Sequence, residues 1–275
     1  MGGFMIELQR GQILTRRIWL KSSVSLLFAS GMVARAAEPA VLRVGFIANY
    51  EPFSFLKNDG LLAGFDVDTV EALLASLGMQ MQAVTARYGR LRELAKAGQI
   101  DMVGNQLLML AENRSLFEFV RPYAFNSLVC VQHEDDERDF LSLDDFVGRR
   151  LGVLRNSGME AQARGALGPS VVGYDHTDQA LAALGKKQID AVLEESLIVE
   201  YLLERDGLPL KVGAPCTAPQ KQGLAVVRGN PLLSKKLSES IPTLTRSPEF
   251  RKISSRWFGY DVSKPRVSHV TADEL

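Results

Sequence analysis

Two stretches of the chain decide its fold class: VLRVGFI at residues 41–47 and GFDVDTVEALLASLG at residues 64–78. The first is a run of apolar and β-branched residues, which is typical of a buried strand. The second repeats apolar residues at helical spacing and ends on Gly78, a residue that favours helix termination. The turn-forming run Asn58-Asp59-Gly60 lies between them. We therefore predict a strand, a turn and a covering helix, the repeating unit of an α/β protein.

The same alternation continues outward along the chain. Further strands are predicted at residues 79–85, 100–103, 128–132, 151–154, 171–174, 190–193, 210–212 and 223–227, and helices at residues 91–97, 177–184, 196–204 and 231–257. Ser157 is the predicted N-cap of one more helix. Pro242 and Pro248 are expected to break the last helix, because proline lacks an N–H group. The pattern indicates two α/β units of similar size.

Composition excludes several classes of function. The chain has 275 residues, 46% of them hydrophobic, and its 32 lysines and arginines balance 32 aspartates and glutamates. This length supports a sizeable core, and the balanced charge disfavours nucleic acid as a partner. The histidines His133, His176 and His269 lack the spacing of a metal site, and no phosphate-binding or dinucleotide-binding motif occurs. We expect no metal and no cofactor.

The N-terminal region predicts export. Residues 15–21 read TRRIWLK, residues 22–34 are uncharged, and Ala34-Arg35-Ala36 has the small-x-small pattern of a cleavage site. We expect a signal peptide at residues 1–36, cleaved near Ala36, and a periplasmic mature protein. The paired arginines also resemble the twin-arginine export consensus, so that route and general secretion both stay open.

An ordered set of short motifs gives the chain a resemblance to a known family. They are LRVG (42–45), NYEPF (49–53), GFDVD (64–68), ID (100–101), NQ (105–106), RPY (121–123), LGV (151–153), IDAV (189–192) and RWFG (256–259). In this order they resemble the extracellular solute-binding proteins, family 3, of polar amino-acid ABC importers. The resemblance covers about residues 41–260.

The resemblance implies an α/β protein with the type II periplasmic-binding fold, in which two lobes are joined by two crossover strands and the ligand lies between them. The implied first lobe comprises residues 41–126 and 218–262, and the implied second lobe comprises residues 127–217. Residues 263–275 are left as a polar tail.

The implied function is binding rather than catalysis. Such a protein is a monomer that captures a small zwitterionic solute, an amino acid or an analogue, and delivers it to a membrane ABC permease. Two alternatives stay open. One is a sensor or accessory protein with a non-amino-acid ligand or a protein partner. The other is a cyclohexadienyl-dehydratase-like enzyme of the same fold, with Glu195 as its acid.

The resemblance also assigns binding residues. It implies aromatic walls at Tyr50 and Tyr88, polar strand-end contacts at Asn105 and Gln106, a carboxylate contact at Ser157, and an ammonium contact at Glu195. A zwitterionic ligand needs such a set of opposed charges and walls.

The cation that should bind the ligand carboxylate is displaced in this sequence. At the position where the family has an arginine, this sequence has Asn113, and Arg114 follows one residue later. On a helix, a step of one residue turns the side chain by about 100°. Arg155 is the other candidate. Leu108 and Leu110 replace hydroxyl residues of the same loop, so the pocket is predicted to be more apolar than usual.

The two cysteines, Cys130 and Cys216, are predicted to lie beside the two crossovers. In an oxidising compartment they could pair across the hinge as a disulfide. Two unpaired thiols are the alternative.

Overall fold

The computed structural model describes residues 39–107, 111–138, 140, 142–155, 157–217 and 219–265. The predicted signal peptide and residues 266–275 of the predicted tail lie outside the described residues. The two stretches that decide the fold class form the predicted elements: Val41–Ile47 is strand β1 and Phe65–Ser76 is helix α1. The chain leaves this helix through Gly78, whose φ of 65° lies in the left-handed region that glycine adopts without strain.

The remaining elements follow in chain order. The strands are β2 (Asn49–Tyr50), β3 (Ser54–Leu56), β4 (Leu62–Ala63), β5 (Gln80–Ala86), β6 (Met102–Leu107), β7 (Phe117–Phe119), β8 (Ala124–Asn126), β9 (Leu128–His133), β10 (Leu151–Leu154), β11 (Val171–Tyr174), β12 (Ala191–Glu195), β13 (Leu210–Pro215) and β14 (Gln220–Val227). The helices are α2 (Tyr88–Lys96), α3 (Ala111–Arg114), α4 (Gly158–Leu167), α5 (Thr177–Gly185), α6 (Ser196–Asp206), α7 (Pro231–Arg246) and α8 (Pro248–Phe258), with short 3₁₀ helices at Leu143–Phe146 and Gly168–Ser170.

The first sheet has the strand order β5-β1-β6-β14-β7, and β8 pairs with the far end of β14. Strands β5, β1 and β6 are parallel, as expected for strands joined by helices. Their carboxyl ends therefore lie at one edge of the sheet. This edge carries Ile47, Ala86 and Leu107, the last residues of the three strands, and it is the usual position of a ligand site in an open α/β sheet.

The second sheet has the order β11-β10-β12-β9-β13. Strand β10 is parallel to β11 and β12, whereas β9 runs antiparallel to both of its neighbours. The chain passes from the first sheet to the second through Ser127 and returns through residues 216–219. The protein is thus a mixed α/β protein with two lobes, each built on one sheet.

A small third sheet of β2, β3 and β4, which the sequence analysis did not predict, lies against the start of α1. The close approach depends on Gly64, where a Cβ atom would lie 2.1 Å from the carbonyl oxygen of Phe53. Only glycine fits this position, and the φ of Gly64, 139°, is also one that side-chain-bearing residues rarely adopt. Phe53 and Phe65, on either side of this approach, are both fully buried, and both rings pack against that of Phe258.

The prediction that Pro242 breaks the last helix is wrong. Pro242 lies inside α7, and the chain instead changes direction at Ser247, before Pro248 at the first position of α8. The apolar stripe of α7 is buried on both sides of the proline, at Leu237, Ile241 and Leu244. Burial of this stripe offsets the single backbone hydrogen bond that proline removes.

Candidate functional site

The carboxyl edge of the first sheet is organised around one buried carboxylate, Asp66, in the first turn of α1. Its oxygens accept hydrogen bonds from the backbone N–H of Gln106 at 3.0 Å, from Nδ2 of Asn105 at 3.2 Å and from the hydroxyl of Tyr123. Burial raises the pKa of Asp66 to about 7, and these donors lower it only in part. The carboxylate holds the start of α1 to the end of β6.

Asn105, a predicted ligand contact, is fully buried and bonded within the first lobe. Its Nδ2 donates to Oγ of Ser54 at 2.7 Å, and its Oδ1 accepts from the N–H of Ile47 at 2.7 Å. Gln106 differs, because its Oε1 has no hydrogen-bond partner within the described part of the chain. A buried acceptor without a donor favours a ligand N–H at this place.

Tyr50 lies at the hairpin next to this edge, half-buried, with its ring 4.9 Å from that of Phe53. Burial raises the pKa of Tyr50 well above its usual value, and the negative charges of Glu195, Asp66 and Glu194 add to this. The Tyr50 phenol is therefore within electrostatic range of carboxylates from both lobes. Tyr88 is the first residue of α2, which follows the same sheet edge.

The facing residues of the second lobe come from the end of β12. Glu195 is partly buried and directly precedes α6, and its Oε2 accepts a hydrogen bond from Nδ2 of Asn126 at 2.7 Å. Burial raises the pKa of Glu195 to about 7, the charge of Glu194 raises it further, and the Asn126 bond lowers it. Glu194 is buried and accepts a hydrogen bond from Thr177 at 2.6 Å. It is a bonded core residue rather than a solvated charge.

Asn126 links this acid to the first crossover. Its Oδ1 accepts hydrogen bonds from the N–H of Ser127 at 3.0 Å and from the hydroxyl of Ser196 at 2.9 Å. Because Asn126 ends β8 and Ser127 leads into the second sheet, one buried side chain bonds both the connection between the lobes and Glu195.

Ser157 caps α4, as predicted. Its hydroxyl accepts the N–H of Glu160 at 3.0 Å and donates to the carbonyl of Leu154 at 2.6 Å. Arg155 lies in the preceding turn, where its guanidinium bonds Asp175 and the carbonyl of Gly173, each at 2.7 Å. The structure therefore directs Arg155 toward the end of β11.

Arg114 ends the short helix α3 and is exposed. It lines a surface hollow together with Phe117, Glu118 and Arg228, and its carbonyl accepts a hydrogen bond from Nε of Arg228 at 2.7 Å. This places Arg114 beside the edge strand β7. Leu108 and Leu110 of the same loop lie outside the described residues.

The two cysteines belong to one lobe, so a disulfide between them would not bridge the hinge, and the structure has them as the two unpaired thiols that the sequence left open. Cys130 is on β9, and the N–H of Cys216 donates to the carbonyl of Leu128 on the same strand at 2.7 Å. Both are free thiols packed in the core of the second lobe. Burial raises the pKa of both thiols, that of Cys216 to about 11.

A contact between the lobes was not anticipated from the sequence. Glu51, next to Tyr50, accepts a hydrogen bond from the hydroxyl of Tyr201 at 2.7 Å and one from Nη1 of Arg205 at 3.2 Å. Tyr201 and Arg205 are on α6, and the Tyr201 ring also lies 6.1 Å from that of Trp257 on α8. We call Glu51, Tyr201 and Arg205 the interlobe contact. The sequence carried no signal for it, since Glu51 is 150 residues from Tyr201 and 154 residues from Arg205.

Within the described ranges, no group of three or more histidine, cysteine, aspartate or glutamate residues has the arrangement of a metal site. No helix in the same part of the chain combines the length and hydropathy that crossing a bilayer requires.

Comparison with known proteins identifies a matching family and several similar proteins. Residues 42–260 match the model of the bacterial extracellular solute-binding proteins, family 3. The L-cystine-binding protein TcyJ of Escherichia coli K12 is 27% identical over 243 residues, which is 88% of this chain and 91% of the relative. The L-arginine-binding protein of Pseudomonas aeruginosa PAO1 is 28% identical over 231 residues, which is 80% of this chain and 89% of the relative.

A solved structure shows the same fold. The L-cystine solute receptor of Neisseria gonorrhoeae, crystallised in the unliganded open conformation, aligns with a TM-score of 0.70 at 28% identity. The alignment covers 82% of this chain and 95% of that chain.

Proposed function

The chain belongs to the bacterial extracellular solute-binding proteins, family 3, and from this membership we propose that it binds a small zwitterionic solute, an amino acid or a close analogue, between its two lobes. The carrying observation is the interlobe contact, in which Glu51, next to Tyr50 of the first lobe, bonds Tyr201 on the helix that directly follows Glu195 of the second lobe. A carboxylate beside an aromatic face suits a ligand ammonium group. The relatives named for L-cystine and L-arginine support this class of ligand.

Six of the predicted residues receive a role in this proposal. Glu195 takes the ammonium group, and Tyr50 and Tyr88 form walls. Oε1 of Gln106 accepts a further ligand N–H. Ser157 and the first N–H groups of α4 offer a helix N-terminus to an anionic group. Asn105 keeps Ile47 and Asp66 in place beneath the site.

Transport is the proposed purpose of binding. The ligand-bound protein would dock on a membrane ABC permease, and the chain would reach the periplasm through a signal peptide cleaved near Ala36. N-terminal sequencing of the exported protein tests the cleavage position. Replacement of Arg16-Arg17 by two lysines should block export by the twin-arginine route and leave general secretion intact.

A thermal-shift screen of the purified protein against the standard amino acids and L-cystine tests the binding proposal. A ligand that binds only the folded state stabilises it by about 2.7 kcal/mol at a hundredfold excess over Kd, which raises the unfolding midpoint by several degrees. Titration calorimetry of each hit then gives the stoichiometry, expected to be one ligand per chain. No response to any amino acid would overturn the proposal.

Binding without turnover is part of the same proposal, since the curated relatives are named for binding. Chromatography of prephenate or arogenate after incubation with the protein is the direct check. Conversion of either compound would support the dehydratase alternative instead.

A further inference from the structure

The N-terminus of α6, a helix of the second lobe, is capped by a residue from a strand of the first sheet. Glu195 occupies the N-cap position of α6, but its side chain makes no capping hydrogen bond. Oδ1 of Asn126 instead accepts from the backbone N–H of Leu197 at 3.3 Å and from the hydroxyl of Ser196 at 2.9 Å. Asn126 ends β8, which pairs with β14 in the first sheet. The start of α6 is therefore held from the first lobe.

The surroundings of Asn126 determine which way its amide group points. Its Oδ1 faces the backbone N–H groups of Ser127 and Leu197, which can only donate. The other end of the amide, Nδ2, therefore points at Oε2 of Glu195, at 2.7 Å. The side chain is 3% exposed, and hydrogen bonds formed away from water are stronger than exposed ones. Asn126 thus presents a fixed donor to the acid.

A fixed donor favours the ionised form of Glu195. Burial and the negative charge of Glu194 raise the pKa of Glu195, and the hydrogen bond from Asn126 lowers it. The phenol of Tyr50 on β2 is within electrostatic range and stays neutral, because its pKa is raised well above its usual value. On β9 the residue paired with Glu195 is the uncharged Leu128. Asn126 therefore supports the charge state that a ligand ammonium group needs.

We propose that Asn126 is a positioning residue of the ammonium site, which keeps the Glu195 carboxylate ionised and ties it to the first lobe; this inference rests on the proposed amino-acid-binding function. Asn126 itself touches no ligand and acts through Glu195. Its Oδ1 also holds the start of α6, the helix that carries Tyr201 of the interlobe contact. One amide group thus sets both the acid that binds the ligand and the helix that contacts the first lobe.

Asn126→Asp keeps the shape of the side chain and reverses its chemistry toward Glu195. The donors to Oδ1 stabilise a charge on the new carboxylate, so it ionises first and Glu195 keeps its proton to a higher pH. We measure the pH midpoint, at which the dissociation constant is twice its high-pH value, by calorimetry with the amino acid that binds best. It should rise by about one unit or more, which weakens binding at pH 7 about fivefold or more.

A double variant shows whether Asn126 acts through Glu195. Glu195→Gln removes the ionisable group, so adding Asn126→Asp to it should cause no further loss of affinity. In the double variant the new amide can donate to the new carboxylate, which restores the hydrogen bond and keeps the protein folded even if Asn126→Asp alone does not fold. Losses of affinity that multiply would show that Asn126 acts independently of Glu195, and they would overturn the inference.

Asn230→Asp is the matched control, since Asn230 caps α7 and accepts the N–H of Leu233 at 3.1 Å. Aspartate caps a helix equally well, so affinity and pH midpoint should equal those of wild type. A folded Asn126→Asp variant with the wild-type pH midpoint overturns the inference alone, whatever its affinity, because a merely structural role leaves that midpoint unchanged. A wild-type protein that binds no standard amino acid and no L-cystine overturns the proposed function and the inference with it.

Discussion

Glu195 is the residue at which protonation and ligand binding should be most closely coupled. Its pKa is raised to about 7, chiefly by burial, so the carboxyl is ionised at pH 8 and mostly protonated at pH 6. A ligand ammonium group stays charged across this range and prefers the ionised form. We expect the dissociation constant to increase as the pH falls from 8 to 6, with calorimetry at three pH values as the measurement.

The substitution Glu195→Gln provides the comparison for that pH series. It should weaken binding about tenfold or more at pH 8, because an ionic hydrogen bond is lost. It should also remove most of the pH dependence. A variant that keeps the full pH dependence would assign the titration to another group.

The raised pKa of Asp66 predicts that the stability of the ligand-free protein depends on pH. Its pKa is about 7 in the folded protein and near 3.8 in an unfolded chain. Between these values the folded state keeps a proton that the unfolded state releases, so raising the pH favours unfolding. We expect the free energy of unfolding to fall between pH 5 and pH 8 by on the order of a few kcal/mol, at most about 1.4 kcal/mol per pKa unit.

Urea unfolding at pH 5, 6.5 and 8 measures this effect. Asp66→Asn, which cannot ionise, should flatten the decrease, although the amide disrupts the surrounding donors and lowers stability at pH 5. Glu195→Gln serves as a second variant, because Glu195 contributes its own share in the same pH range. A free energy of unfolding that rises between pH 5 and pH 8 would contradict the prediction.

The sequence predicts some of these residues and misses others for a physical reason. Glu195 and Tyr50 were predicted as binding residues because short motifs around them resemble a known family. Asp66 lies in a helix that the sequence predicts, but charged residues on helices are usually exposed. Only tertiary packing reveals that Asp66 is buried.

At the scale of elements, length and local pattern decide what the sequence predicts. Strands β1, β10 and β11 match their predicted bounds, because each is a short and largely apolar run. The short strands β2, β3, β4, β7 and β8 were missed, since two or three residues carry no periodicity. Their pairing depends on neighbours distant in sequence, as in β8 with β14.

Helix α7 yields a prediction of its own, because Pro242 interrupts its hydrogen bonding without ending it. Pro242→Ala should restore one backbone hydrogen bond and raise the free energy of unfolding by about 1–2 kcal/mol, less than the roughly 3 kcal/mol cost of proline in a helix interior. Urea unfolding at pH 7 measures the change. Pro231→Ala is the control, since Pro231 occupies the first turn, where proline is well suited, and no gain is expected there. A less stable Pro242→Ala variant would indicate that the proline ring is needed for packing.

At the scale of the whole molecule, the interlobe contact should shift the equilibrium between the open and closed arrangements of the two lobes toward the closed one. Glu51 lies next to Tyr50, and Tyr201 is on the helix that begins just after Glu195. The contact therefore stabilises the arrangement in which both halves of the proposed site face each other. A ligand shifts such an equilibrium only through its differential affinity for the two states, and a pre-existing contact reduces the shift required.

Removing this contact should enlarge the ligand-free protein and weaken binding. Glu51→Gln and Tyr201→Phe should each raise the radius of gyration in solution scattering and weaken binding by up to about fivefold, because partly exposed pairs contribute about 1 kcal/mol or less. The double variant should cost less than the sum of the two, which a double-mutant cycle measures. Arg164→Gln removes an ion pair within the second lobe and should change neither quantity. Strict additivity of the two substitutions would show that the residues act independently.

Asn126 has a consequence for anyone who redesigns this protein as a biosensor. The side chain that bonds Glu195, the acid proposed to bind the ligand, also bonds the connection on which the lobes would pivot. A substitution of Glu195 should therefore change both the movement of the lobes and the preference for a ligand. The signal of a fluorophore attached to the lobes would respond to both changes. Selectivity is better tuned from Tyr50 and Gln106, since the bonds of these residues remain within the first lobe.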